Sequence, residues 1–188
     1  MVDKKIGIRK YLRLVLLIFP ILYIYLPKQA VILPLLVIAG LLLLLDIARY
    51  YRSNFVAKFK FLFKEKEKGI SSASFLLLGL AVVLNSFEKK VAILSICIAL
   101  IYDFFSYLGT FFGKIRFRGK TIEGCILGAI LGYGAGVVVN TILGLEHNVL
   151  LAGVIAAPVT ELFLDWPDDN FTIPFFIAVA AQFVKNSF

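Results

Sequence analysis

Seven long apolar runs dominate this sequence and constrain its fold more than any other feature. They cover roughly residues 11–27, 30–51, 70–87, 90–113, 125–145, 148–164 and 171–185. A helix needs about 17–25 mostly apolar residues to cross a bilayer. The chain is 61% apolar and 17% charged, whereas a soluble domain has about 45–50% apolar residues. This balance excludes a disordered chain and argues against an ordinary cytosolic enzyme. We predict one integral membrane domain over residues 1–188, an all-α polytopic bundle of about seven transmembrane helices.

The 20 basic residues are divided unequally between the two sides of such a bundle. Five precede or open the first run, seven lie at the end of the second run or between it and the third, and four fall between the fourth and fifth. Only four fall in the connections on the other side. Basic loops stay in the cytoplasm, so we predict a multi-pass protein of the cell membrane with a cytoplasmic amino terminus. Most of the net charge of +8 is then an orientation signal, and no nucleic-acid motif is found.

The connection at residues 52–69 has a pattern of its own. Its aromatic and aliphatic side chains fall on one helical stripe with lysines between them: Phe55, Phe59, Leu62 and Phe63. A basic amphipathic helix of this kind lies on the anionic inner leaflet. We therefore predict a cytoplasmic interfacial helix here, in contact with membrane lipids.

Acidic residues inside apolar runs are candidates for function, because a charge in a bilayer is costly. Asp46 has Arg49 three residues on, which favours a local ion pair. Asp103 has no basic residue within a helical turn, and we interpret it as an isolated, functional acid. Glu161 opens an acidic cytoplasmic segment that ends at Asp169 and contains no lysine or arginine.

The segment 109–124 combines four cations, four glycines and two threonines. Glycines let backbone N–H groups approach an anion, and lysine and arginine neutralise it. The segment is not a Walker A loop, because Lys114 stands where that motif requires glycine. Carboxylates beside a polyphosphate site indicate Mg²⁺, which binds one or two carboxylates together with nucleotide oxygens. We predict a cytoplasmic nucleotide-binding loop at 109–124.

Glycine also recurs every four residues along the fifth run. The positions are Gly124, Gly128, Gly132 and Gly136. Three successive steps of this spacing allow close helix packing. We expect the packing partner to be another helix of the same bundle, and a homodimer through this face is the alternative.

Several motifs together resemble the dolichol kinase family, which includes CTP-dependent diacylglycerol kinases and phytol kinases and is related to phosphatidate cytidylyltransferases. The resemblance runs from residue 64 to residue 174. It rests on Asp103 followed by Gly109, Gly113 and Lys114, on Gly119-Lys120-Thr121-x-Glu123-Gly124, on Lys66-Glu67 before a small polar stretch, and on Glu161 with Asp169-Asn170-x-x-x-Pro174. Tyr102 departs from the pattern, since the family has glycine before this aspartate.

The resemblance implies a CTP-dependent kinase that phosphorylates the hydroxyl of a membrane lipid alcohol, such as a polyprenol, dolichol or diacylglycerol. It implies these nucleotide-binding residues: Gly109, Gly113, Lys114, Arg116, Arg118, Gly119, Lys120, Thr121, Glu123 and Asn170. It implies that Asp103 and Asp169 bind Mg²⁺ or orient the lipid hydroxyl. Glu161 and Glu67 are second carboxylates or bases, which completes a catalytic set of Asp103, Glu161, Asp169 and Glu67.

Two other functions fit the same residues. A cytidylyltransferase that makes a CDP-lipid, of the CDP-archaeol or CDP-diacylglycerol synthase type, would use the same loop and metal but attack the α-phosphate. A small transporter would line a path with its charges. The outer halves of the predicted spans are nearly uncharged, which disfavours transport.

Overall fold

The computed structural model describes residues 4–51, 69–164 and 166–187, with side chains from Arg9 onward. Within these ranges the chain is helical apart from one hairpin of two very short strands, which agrees with the predicted all-α class. The helices are α1 (Lys4–Val15), α2 (Ile18–Tyr25), α3 (Lys28–Tyr50), α4 (Ser72–Ser86), α5 (Lys89–Gly109), α6 (Ile122–Leu143), α7 (His147–Phe163) and α8 (Asp169–Ser187). The antiparallel strands are β1 (Arg116–Phe117) and β2 (Lys120–Thr121).

Three of the described helices are long and apolar enough to cross a membrane. They are α3, α5 and α6, with 23, 21 and 22 residues, which gives each about 30 Å of length at about 1.5 Å per residue. They correspond to the apolar runs at 30–51, 90–113 and 125–145. α4 and α7 are apolar but shorter, with 15 and 17 residues.

The first apolar run is divided between two helices. α1 ends at Val15 and α2 begins at Ile18. The cause is Pro20, which has no N–H to donate to the carbonyl of Leu16 and whose ring crowds that carbonyl. The amide of Phe19 donates to Leu16 instead, at 3.1 Å, and tightens the chain into a turn. The single helix predicted over 11–27 is therefore wrong in this detail.

α5 is the central helix of the described bundle. It contacts α1, α2, α4, α6, α7 and α8. Of its most apolar stretch 72% is buried, against 22% for α3 and for α6. The outward faces of α3 and α6 carry exposed leucine, valine and isoleucine side chains, among them Leu33, Leu41, Val138 and Ile142. A broad apolar surface of this kind suits lipid better than water.

α5 and α6 approach each other closely through glycines. A Cβ on Gly109 would lie 2.4 Å from the Cα of Gly124, and a Cβ on Gly124 would lie 2.6 Å from the carbonyl oxygen of Ser106. A Cβ on Gly128 would meet the carbonyl oxygen of Tyr102 at 2.9 Å. The predicted packing within the bundle is confirmed at these positions.

Candidate functional site

Charged residues from four distant segments meet at one end of the bundle. Asp103 lies in α5, Lys120 in β2, Glu161 near the end of α7, and Asp169 at the start of α8. Lys120 forms an ion pair with Asp169, and its Nζ lies 3.9 Å from Oε1 of Glu161. The basic segment and the acidic segment, which sequence reasoning assigned to the same face, therefore touch through Lys120.

Lys120 is half-buried, whereas the other two cations of β1, β2 and their turn, Arg116 and Arg118, are exposed. Burial by itself lowers the pKa of Lys120, but the neighbouring carboxylates of Asp169 and Glu161 raise that pKa above its usual value. The ammonium group therefore stays charged at neutral pH. It is placed to neutralise negative charge that arrives at this end of the bundle.

Asp103 is not isolated, and its interpretation as an unpaired acid is wrong. Lys10 Nζ donates to Oδ1 of Asp103 at 2.5 Å, and Arg13 Nη1 donates to Oδ2 at 3.0 Å. Both cations lie on α1, one helical turn apart and on the same face. Their spacing was visible in the sequence, but nothing local indicated that α1 packs against α5.

Glu161 is held in place by three donors that sequence reasoning missed. The hydroxyl of Tyr102 donates to Oε2, and the hydroxyl of Ser106 donates to the same oxygen at 2.9 Å. The thiol of Cys125 lies 3.4 Å from it. Tyr102 is fully buried, so its phenol fixes the carboxylate from the interior. A half-buried carboxylate with several donors is held in one position.

The first half of the 109–124 segment is organised by packing and by a carboxylate. Gly113 has no room for a side chain, since a Cβ there would lie 2.8 Å from Cβ of Thr121. The amides of Lys114 and Ile115 donate to Oε1 of Glu123 at 2.8 and 3.0 Å. Sequence reasoning expected such amides to face a phosphate. Here Glu123 occupies them, so Glu123 positions the segment.

The second half of the segment is the β1–β2 hairpin. Its two turn residues, Arg118 and Gly119, have φ values of +48° and +84°. Two consecutive residues of positive φ suit a tight turn between twisted strands, and glycine takes this conformation without strain. Arg118 donates from Nη1 to the carbonyl of Phe163 at 3.0 Å, which docks the hairpin on the end of α7. Lys114 and Arg116 are exposed beside it.

Thr121 follows the hairpin as the residue before α6. Its side chain is 4% exposed, and its Oγ1 has no hydrogen-bond partner among the described residues. Thr121, which was predicted to contact the nucleotide, is therefore buried beneath the exposed cations of the segment.

The start of α8 is fixed by Asp168, which sequence reasoning did not select for the site. Its Oδ1 accepts the amide of Asn170 at 2.9 Å and also the side-chain amide of Asn170. Its Oδ2 accepts the hydroxyl of Ser72 at 3.3 Å. Asn170 thus fixes the loop before α8, and this turn holds Asp169 towards Lys120.

Asp46 has the structural role that its spacing predicted. It lies 3.5 Å from Arg49. It also accepts the amide of Ser71 at 2.8 Å and the hydroxyl of Ser74 at 2.7 Å. The buried carboxylate therefore anchors the beginning of α4. Glu67 and most of the interfacial helix at 52–69 lie outside the described residues.

The described residues contain no group of three histidine, cysteine or acidic side chains suited to a metal ion. Mg²⁺ bound with a nucleotide needs only one or two carboxylates, and Asp103 and Asp169 supply hard oxygen donors of that kind. Their oxygens are paired with Lys10, Arg13 and Lys120. The carboxylates of Asp103 and Asp169 would be free to bind Mg²⁺ once the side chains of Lys10, Arg13 and Lys120 pair with phosphate oxygens of a bound nucleotide instead.

Comparison with known proteins gives similarity without a function. The chain matches no protein family profile and no solved structure. It is similar to the uncharacterized protein RP860 of Rickettsia prowazekii (strain Madrid E), with 27% identity over 179 residues that cover 88% of each chain. The likeness extends over most of both chains and is not confined to one segment.

Proposed function

We propose that the protein is a membrane-embedded, CTP-dependent lipid kinase that transfers the γ-phosphate of CTP to the hydroxyl of a lipid alcohol. The observation that carries the proposal is the contact of Lys120 with Glu161 and Asp169 beside an exposed basic hairpin, with Asp103 near enough for its charge to act on Lys120 and Asp169. Phosphoryl transfer depends on positioning and on neutralising charge on the transferred group. CTP as the donor follows from the family resemblance of the motifs.

The exposed cations of the 109–124 segment are the first contacts for a triphosphate. Lys114 and Arg116 are exposed at the hairpin, and Lys120 lies deeper among the acids. Asp103 and Asp169 would hold Mg²⁺, which supplies charge neutralisation on the phosphates when it is bound. Lys10 and Arg13 would then turn from Asp103 to the phosphate oxygens.

Glu161 is the candidate general base for the lipid hydroxyl. A base must be held within hydrogen-bond reach of the proton it takes. Tyr102 and Ser106 bind Oε2 of Glu161, while Oε1 lies 3.2 Å from the Ser106 hydroxyl and 3.9 Å from Nζ of Lys120. This leaves Glu161 oriented towards the charged cluster, where the transferred phosphoryl group is expected.

We place this end of the bundle at the cytoplasmic face, where nucleotides are available. The basic connections support that orientation through the positive-inside rule. In this arrangement α1 and α2 together make the first of about seven crossings. The glycine face of α6 is used against α5 within one chain, and we propose no homodimer through it.

Label transfer tests the reaction. The purified protein in proteoliposomes is given a long-chain polyprenol, Mg²⁺ and CTP that carries ³²P in either the γ or the α position. A kinase labels the lipid from γ-³²P-CTP only. Lipid label from α-³²P-CTP with release of pyrophosphate would establish the cytidylyltransferase instead. Uptake of a solute without nucleotide would favour a transporter.

Replacing Asp103 with asparagine tests the site. Asp103→Asn removes the carboxylate and its charge but keeps the shape, so we expect turnover to fall at least about 100-fold. Membrane insertion and extraction in detergent should be unchanged. Glu146→Gln, at an exposed position before α7, is the matched control and should keep full activity. Near-normal turnover of Asp103→Asn would contradict the assignment.

A further inference from the structure

An apolar cavity of about 280 Å³ lies between α1, α3 and α4, next to the charged cluster. Its apolar walls are formed by Leu12, Leu16, Ile38, Leu42, Leu76 and Leu77. Leu12 and Ile38 are 44% and 41% exposed, so the cavity is continuous with the outer surface of these helices. A molecule dissolved in a bilayer can therefore reach it from the side.

One part of the cavity lining is polar and is shared with the candidate site. Arg9, Arg13 and Ser72 line it together with the leucines. Arg13 donates to Asp103 at 3.0 Å. Ser72 donates to Asp168 at 3.3 Å, the residue that precedes Asp169. A ligand with its apolar part in the cavity would thus have its polar end beside the side chains that hold the acids.

We propose that this cavity binds one hydrocarbon chain of the acceptor lipid and that the hydroxyl extends past Arg13 and Ser72 into the charged cluster of Asp103, Lys120, Glu161 and Asp169. This inference rests on the proposed kinase function. A guanidinium group can donate two parallel hydrogen bonds to a phosphate. Arg9 and Arg13 are therefore also suited to bind the phosphomonoester formed on that hydroxyl. An apolar wall with a few convergent polar groups is the usual construction of a small-molecule site.

The size of the cavity restricts the acceptor. Ligand sites commonly measure about 300–1,000 Å³, and about 280 Å³ lies just below that range. A volume of this size holds part of one hydrocarbon chain. The acceptor to which the proposal commits is a single-chain alcohol, such as a polyprenol, and diacylglycerol is the alternative that the competition experiment below tests.

Filling the cavity tests the site through kinetics. Leu42→Trp places a large side chain in the cavity, and Ala73→Phe does the same from α4. Leu44→Trp is the matched control, because Leu44 lies on the same helix but is 62% exposed and does not line the cavity. We expect the KM for a long-chain alcohol to rise at least 10-fold in both filled variants, with the KM for CTP unchanged. An unchanged lipid KM in both folded variants would overturn the proposal.

A photoreactive probe separates this inference from the kinase function. A single-chain C20 alcohol that carries a diazirine is irradiated with the full-length protein without nucleotide. We expect cross-links in peptides of α1, α3 and α4, lost in Leu42→Trp and retained in Leu44→Trp. Such labelling in a protein without kinase activity would support the lipid site and contradict the proposed kinase function. Labelling elsewhere, or competition by diacylglycerol equal to that of a single-chain alcohol, would overturn the assignment of the cavity.

Discussion

Tyr102 shows how one buried hydroxyl can determine the position of a charge. The side chain is fully buried in α5 and donates to Glu161 of α7. From the sequence alone it was only a bulky departure where the dolichol kinase family has glycine. Its partner lies 59 residues further along the chain, so no local spacing could have indicated the contact.

Tyr102→Phe should destabilise the protein because the half-buried carboxylate of Glu161 loses one of its donors. Hydrogen bonds to charged groups contribute about 1.5–3 kcal/mol, and we expect a loss in that range, measured by chemical denaturation in detergent micelles. Tyr133→Phe, whose hydroxyl makes only a long 3.5 Å contact with His147, should change stability by much less. Equal effects of the two substitutions would show that the Glu161 contact does not matter for stability.

At the scale of elements, the contact between α5 and α6 determines where the basic segment emerges. Glycine spacing predicted close packing of α6, and the structure places Gly124 and Gly128 against α5. Sequence reasoning did not separate the two uses of glycine in 109–124. Gly109 serves helix packing, whereas Gly119 serves a turn of positive φ. Only the approach of two backbones distinguishes them, and that depends on the tertiary structure.

Adding one methyl group should test this contact. In Gly124→Ala the new Cβ would lie 2.6 Å from the carbonyl oxygen of Ser106. Because this oxygen belongs to the backbone of α5, it has little freedom to move away. We expect a loss of about 1–3 kcal/mol from overpacking, measured by thermal unfolding in detergent. Gly134→Ala in the same helix meets nothing within 4 Å and should be neutral or stabilising by up to about 1 kcal/mol. Similar losses in both variants would contradict the packing argument.

For the whole molecule, the sequence predicted the helices better than it predicted which helices contact each other and through which residues. The apolar runs located the helices within a few residues, because hydrophobic length is a local property. The run at 90–113 ends earlier than predicted, at Gly109. Glu123 organises the residues that follow. The acids of the site were selected from the sequence as unusual, but Lys10 and Arg13 were interpreted only as orientation signals. Ion pairs between distant segments leave no periodic pattern in the sequence, so they could be found only from the structure.

The orientation of the bundle can be measured with introduced cysteines. Lys114→Cys lies in the exposed basic segment, and His147→Cys lies at the exposed start of α7. A membrane-impermeant maleimide should label Lys114→Cys only from the cytoplasmic side of vesicles and His147→Cys only from the opposite side. The native thiols of Cys97 and Cys125 are buried and should give a low background. Labelling of both positions from the same side would contradict the proposed topology.

The pairing of α1 with α5 has a consequence for the order in which the protein is made. Lys10 and Asp103 are separated by 93 positions. At about 5–20 residues per second of synthesis, Asp103 is added about 5–20 s after Lys10. α1 therefore leaves the ribosome before its partner α5 and cannot complete its docking until α5 has been made. We expect α1 to remain without this contact during that interval, so a segment made early reaches its final place late.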